Sequence, residues 1–167
     1  MFKAILIWIS LIGTAFSQSP LQTASPEELI EKLKPSGENV GQTRGLRNLV
    51  PIERQVPTVD LSIQFEFDST KLLPESIPIL LNLARAINSE TLLPYEFLIE
   101  GHADATGTPE YNMRLSKRRA ESVMAFLAQN GIDRKRLKAI GKGSTELLLP
   151  LQPDAQQNRR VRILNNL

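Results

Sequence analysis

The chain has 167 residues, with 20 lysines and arginines against 18 aspartates and glutamates, a formal net charge of +2, 41% hydrophobic residues and no cysteine. Near-balanced charge gives no support to a nucleic-acid-binding surface, and the missing thiols exclude a disulfide framework, a lipid-acceptor cysteine and a thiolate metal site. Stability must come from an ordinary hydrophobic core, for which about 150 residues suffice as one domain.

Lys3 precedes the apolar stretch Ala4 to Ile12 and the small residues ending in Ala15-Phe16-Ser17, the pattern of a charged n-region, an h-region and a cleavage site. Met1 to Ser17 is therefore expected to be a secretory signal, with the mature chain starting near Gln18. An uncleaved anchor is the alternative, but the apolar run falls short of the roughly 20 residues of a membrane span. In Ser25-Pro26-Glu27-Glu28 an N-cap serine, a first-turn proline and a capping-box glutamate predict a short helix to Lys34. From Pro35 to Pro57, Gly37, Gly41, Gly45 and Pro51 break any periodicity, so this stretch reads as a linker. Within it TRGLRNLVP, residues 43 to 51, suits a tether or a contact with an envelope protein partner, and equally a loop packed on the domain. Residues 18–57 are expected to be mobile or weakly docked, and residues 58–167 to form the globular domain.

Val59, Leu61, Ile63, Phe65 and Phe67 alternate strictly, which predicts a strand with one buried face. Ile77, Leu80, Leu81, Ala84 and Ile87 then recur at helical spacing, and Tyr95 to Gly101 reads as a second, more continuously apolar strand. Thr108-Pro109-Glu110 starts a long helix that Gly131 ends. Strands are expected around Leu137 to Ile140 and Arg159 to Leu164. The sum is an α/β two-layer sandwich in βαβαββ order, a mixed sheet of about four strands with two main helices on one face.

One charge in the long helix is out of place. Wound at about 100° per residue, Leu115, Ala120, Val123, Phe126 and Leu127 share an arc with Asn112 and Arg119, while Arg114, Lys117, Arg118 and Glu121 point to the opposite side. A guanidinium within a buried stripe needs an explanation, either a permanent bridge to a carboxylate such as Asp104 or a ligand. Glu100, His102 and Asp104 alternate along one strand edge and invite a metal or acid-base reading. With a single histidine and no cysteine, His102 reads better as a hydrogen-bonded structural residue, and no metal or cofactor is expected. Arg160 and Arg162 fall on one face of the last strand and Val161 and Ile163 on the other. The basic residues Arg114, Lys117, Arg118, Lys135, Arg136 and Lys138 read as a solvated surface.

"FEFDSTKLLPES", "IEGHADATGTPEYNMRLSKRRAESVMAFLAQNGID" and "NRRVRI" together resemble the OmpA-like peptidoglycan-binding domain, which also occurs in Pal lipoproteins and flagellar stator proteins. Asn112, Leu115-Ser116, Arg119-Ala120, Val123 and Leu127 fit that family's helix pattern at each fixed position. The resemblance implies that Asp104 and Arg119 hold the amino-acid end of diaminopimelate in the peptidoglycan stem peptide, with Asn112 and Leu115 completing the ligand-binding set. From the residues themselves, His102, Asp68 and Arg160 read as structural support, with Arg160 supporting the sheet edge beneath the site through a carboxylate such as Asp68. Three departures stand out: Ala103 where threonine is commoner, Lys142 where an aromatic often follows the glycine, and Asp154-Ala155 in place of Gly-Arg. The function implied is non-catalytic peptidoglycan binding that anchors a periplasmic protein to the cell wall, in the periplasm with outer-membrane association as an option. The alternatives are a periplasmic protein-interaction module that takes a partner's chain terminus, or a cell-wall hydrolase using Glu100 or Asp104 with His102.

Overall fold

The structure, a computed structural model, describes residues 19–35, 56–66 and 68–166. The expected leader, the TRGLRNLVP segment and Phe67 lie outside the described residues.

Helix α1 (Pro26–Leu33) begins as its sequence dictates, with Ser25 Oγ accepting from Glu28 N at 3.2 Å. Strand β1 (Thr58–Leu61), helix α2 (Ile77–Ile87), strand β2 (Glu96–His102), helix α3 (Pro109–Gln129), strand β3 (Leu137–Gly143) and strand β4 (Val161–Asn166) follow. The four strands form one mixed sheet in the order β1-β4-β2-β3. Strand β4 runs antiparallel to both β1 and β2, while β2 and β3 are parallel neighbours joined through α3. The mixed α/β sandwich expected from the periodicities is the observed fold.

The core lies between sheet and helices. Val59, Leu61, Phe97, Ile99, Val161 and Ile163 face Leu80, Leu83 and Ile87 of α2 and Ala120, Val123 and Leu127 of α3. Helix α1 belongs to the same core: Leu29 and Leu33 are fully buried, which at about 1.5–3 kcal/mol each is ample to dock two turns of helix. Asn82 Nδ2 donates to Ala24 O and Asn165 Nδ2 to Leu33 O, both at 2.9 Å, so α1 is attached more firmly than the weak docking expected of its segment.

Strand β1 is shorter than its alternation suggests. Its partner β4 starts at Val161, opposite Leu61, and beyond that point the backbone bonds elsewhere. Ser62 N donates to Leu21 O, Gln64 N to Ser76 Oγ, and Glu66 N to Lys71 O. Ile63 stays buried and Phe65 partly so, which preserves the side-chain pattern without a ladder.

Two glycines let α3 lie against the sheet. A Cβ on Gly101 would stand 2.1 Å from Ser116 O, and one on Gly141 would stand 2.6 Å from Met113 O and Lys117 N. Ser116 Oγ accepts from Gly143 N at 2.9 Å and fixes the approach. The first half of α3 is thereby pinned to the ends of β2 and β3, and Arg119 with it.

Candidate functional site

The loop after β2 carries Asp104. Its Oδ1 accepts from Thr106 N at 3.1 Å in a side-chain turn, and its Oδ2 accepts from Arg159 Nη1 at 2.6 Å. Asp104 is only 7% exposed. Asn112 Nδ2 donates to Asp104 O at 3.1 Å and to Thr106 O at 2.9 Å, so the amide hydrogens of this expected ligand contact hold the loop instead. The next loop is tied to the first through Ala105 N and Pro153 O, and Asn158, fully buried, bonds Leu149 N, Gln152 O and Pro153 O. Arg159 leaves this fixed point to reach Asp104.

Arg119 approaches from α3. Its Nε donates to Ser69 O at 3.1 Å, and its guanidinium lies 4.9 Å from the centre of the Phe65 ring. Among the described residues its two terminal amino groups have no hydrogen-bond acceptor, and no carboxylate stands within ion-pair distance. Burial lowers its pKa, with Tyr111 and Asp104 opposing, but an arginine remains charged. The permanent Arg119–Asp104 bridge weighed from sequence is thus not formed, because Arg159 has taken the carboxylate. Arg119 and Arg159 line one cleft of about 140 Å³ together with Ser62, Ile63, Gln64, Phe65 and Gln156. Leu115 is buried at 7% exposure and lies outside the main core cluster.

The expected pairing of Arg160 with Asp68 is corrected. Asp68, in the left-handed region at φ 48°, accepts from the Tyr111 hydroxyl, a contact that raises the Tyr111 pKa. Arg160 instead donates Nε to Asp60 Oδ1 at 2.9 Å. Asp60 sits opposite Arg162 in the β1–β4 register and binds it through both carboxylate oxygens, at 2.9 and 3.1 Å. Burial raises the Asp60 pKa, but the two arginines outweigh it and hold the group below its ordinary 3.8.

His102 also differs from expectation. It is 3% exposed, and neither ring nitrogen has a hydrogen-bond partner among the described residues. Burial first, then Arg160 and Arg162, push its pKa down to about 4. Glu100 Oε2 lies 3.6 Å from Nε2, too long for a hydrogen bond.

Sequence reasoning missed Arg159, Phe65 and Asp60. Arg159 had a usable signal, because it shares the parity of Val161 and Ile163 and is, like Arg119, an arginine on an apolar face. Asp60 had none, since only the strand register brings it to Arg160 and Arg162.

No described helix is long and apolar enough to cross a membrane. The chain is 40% identical over 107 residues to outer membrane protein A of Bordetella avium, covering 59% of this chain and 51% of that protein, so it spans about half the length of that relative. It is 32% identical over 108 residues to the peptidoglycan-associated lipoprotein of Haemophilus influenzae, covering 65% of this chain and 67% of that protein. The solved cell wall anchor of the T6SS from Pseudomonas aeruginosa superposes with a TM-score of 0.51 at 27% identity, over 67% of this chain and 82% of that one. Residues 64–161, more than half of the chain and the stretch that carries Asp104, Arg119 and Arg159, match the OmpA family model, and the chain belongs to the OmpA family.

Proposed function

We propose that this chain binds peptidoglycan without catalysis, through the diaminopimelate of the stem peptide, and so anchors an exported envelope protein to the cell wall. The observation that carries the reading is Arg119, a half-buried guanidinium whose outer amino groups have no acceptor among the described residues, in a cleft whose other arginine holds the buried Asp104. Diaminopimelate ends in an ammonium and a carboxylate on one carbon. A guanidinium offers the carboxylate two parallel donors, and a fixed aspartate offers the ammonium its counter-charge. Asp104 and Arg119 are the ligand-holding pair in this reading, Asn112 shapes the loop, and Ile63 and Phe65 give the cleft its apolar surface. Relatives named for the outer membrane, for peptidoglycan association and for cell wall anchorage support it.

The test is retention of the protein on purified sacculi, with competition by soluble muropeptides. A diaminopimelate-type muropeptide should release the protein, whereas a lysine-type muropeptide, which lacks the terminal carboxylate, should not. Equal release by both, or release of soluble fragments from the sacculi by the protein itself, overturns the reading.

A further inference from the structure

The face of the sheet turned away from the helices carries a second constellation, which the binding cleft does not use. On β2, Glu100 and His102 are separated by Gly101, whose Cα abuts α3, so both side chains project from the opposite face. Glu146, in the loop that follows β3, reaches over them, and the donor atoms of Glu100, His102 and Glu146 all lie within 4.8 Å of one another. Glu100 is 5% and His102 3% exposed, and among the described residues both His102 nitrogens are unpartnered. Buried polar atoms are nearly always satisfied, so an imidazole facing a buried carboxylate at 3.6 Å, beyond hydrogen-bond reach, is an exception that needs a cause.

We propose that Glu100, His102 and Glu146 form a binding site for Zn2+. Tetrahedral zinc with bonds of about 2.0–2.2 Å sets its donors about 3.4 Å apart, and Glu100 Oε2 and His102 Nε2 already stand 3.6 Å apart. Glu146, with a side chain 45% exposed, is free to close the remaining distance, and the fourth position is left to water. A cation already occupies the place: Lys142 Nζ lies 2.7 Å from Glu146 Oε1 and 3.5 Å from Glu100 Oε1. That ammonium satisfies the carboxylates but offers the imidazole nothing, whereas Zn2+ serves all three. Arg160 and Arg162 are the other cations nearby; both bond Asp60 through Nε, and Arg162 Nη1 also stands 3.9 Å from Glu146 Oε2, a longer contact that zinc would have to displace. One imidazole and two carboxylates suit zinc and disfavour calcium, which takes oxygen ligands alone. Bound there, the ion clips the start of the 144–160 loop to β2, and the far end of that loop holds Asn158 and Arg159 at the cleft. The proposal stands apart from peptidoglycan binding and departs from the metal-free expectation of the sequence, because Glu146, distant in sequence, replaces Asp104.

The experiment uses the full exported chain, stripped with a chelator and titrated with ZnCl2 against a chromophoric competitor. One ion per chain is expected. Glu146→Gln, a change at an exposed side chain that should leave the circular-dichroism spectrum unchanged, should weaken binding at least about tenfold, and Lys142→Met, which removes the competing ammonium, should tighten it by about as much. Absence of stoichiometric binding, an unchanged affinity in either variant, or a preference for Ca2+ over Zn2+ overturns the proposal.

Discussion

The two arginine–carboxylate clusters of this molecule use the same residue types and end in opposite conditions. Behind the sheet, Asp60 receives hydrogen bonds from both Arg160 and Arg162, and the terminal nitrogens of Arg160 rest at 3.3 Å on Glu146 O. Every guanidinium group of Arg160 is engaged, and its side chain is 1% exposed. At the cleft, among the described residues, Asp104 has one arginine at 2.6 Å, while Arg119 has a single backbone acceptor and an aromatic face. Burial of charge therefore does not distinguish a structural cluster from a binding one. Unused donors do, since a satisfied buried pair has nothing left to offer a ligand.

The comparison is broken most sharply at Asp60. Asp60→Ala leaves Arg160 buried without its carboxylate, a loss of about 3–5 kcal/mol, seen as a large fall in the thermal midpoint, while the protein that remains folded should still bind sacculi. At the cleft the readouts exchange places. Asp104→Ala or Arg119→Ala should cost about 2–5 kcal/mol of binding with a thermal midpoint close to the parent's. Arg119→Lys should fail nearly as badly, because it keeps the charge and loses the planar fork. A thermal loss at Arg119 as deep as that at Asp60 contradicts the distinction.

Acid separates the clusters further. The folded-state pKa of Asp60 is depressed below 3.8, so its contribution to stability is whole above that value and is lost as pH falls through the folded pKa. Denaturation below about pH 4 should accordingly be less steep in Asp60→Ala than in the parent, measured as unfolding free energy against pH in chelator-treated protein.

Much of this was legible in the sequence, and the failures share one cause. The alternation at Val59 to Phe67, the helical spacing after Ile77 and the caps at Ser25, Thr108 and Gly131 report local geometry, and the fold follows from them. Arg119 betrayed itself by lying on the wrong arc, a signal that also stems from local periodicity. What stayed hidden needed the register of strands far apart in sequence: Asp60 opposite Arg162, the end of β1 where β4 gives out, and Glu146 above His102. Helix α1 belongs with these, since eight residues announce a helix but not the surface that buries Leu29 and Leu33.

The smallest effect expected is also the most discriminating. Arg118 and Arg119 are adjacent, carry the same charge and start from the same helix, so any long-range attraction to an acidic polymer treats them nearly alike. Their surroundings differ, because Arg118 is exposed while Arg119 is half-buried against Phe65 and bound to Ser69 O. An exposed charge contributes about 0–1 kcal/mol in such settings. Arg118→Ala should therefore bind sacculi within a fewfold of the parent at about 0.15 M salt, and the small difference should vanish as salt is raised, whereas the Arg119→Ala loss should persist. If the two substitutions weaken binding equally and salt abolishes both effects, the cleft is only part of a diffuse basic surface, and the contrast between satisfied and unsatisfied arginines has no bearing on binding.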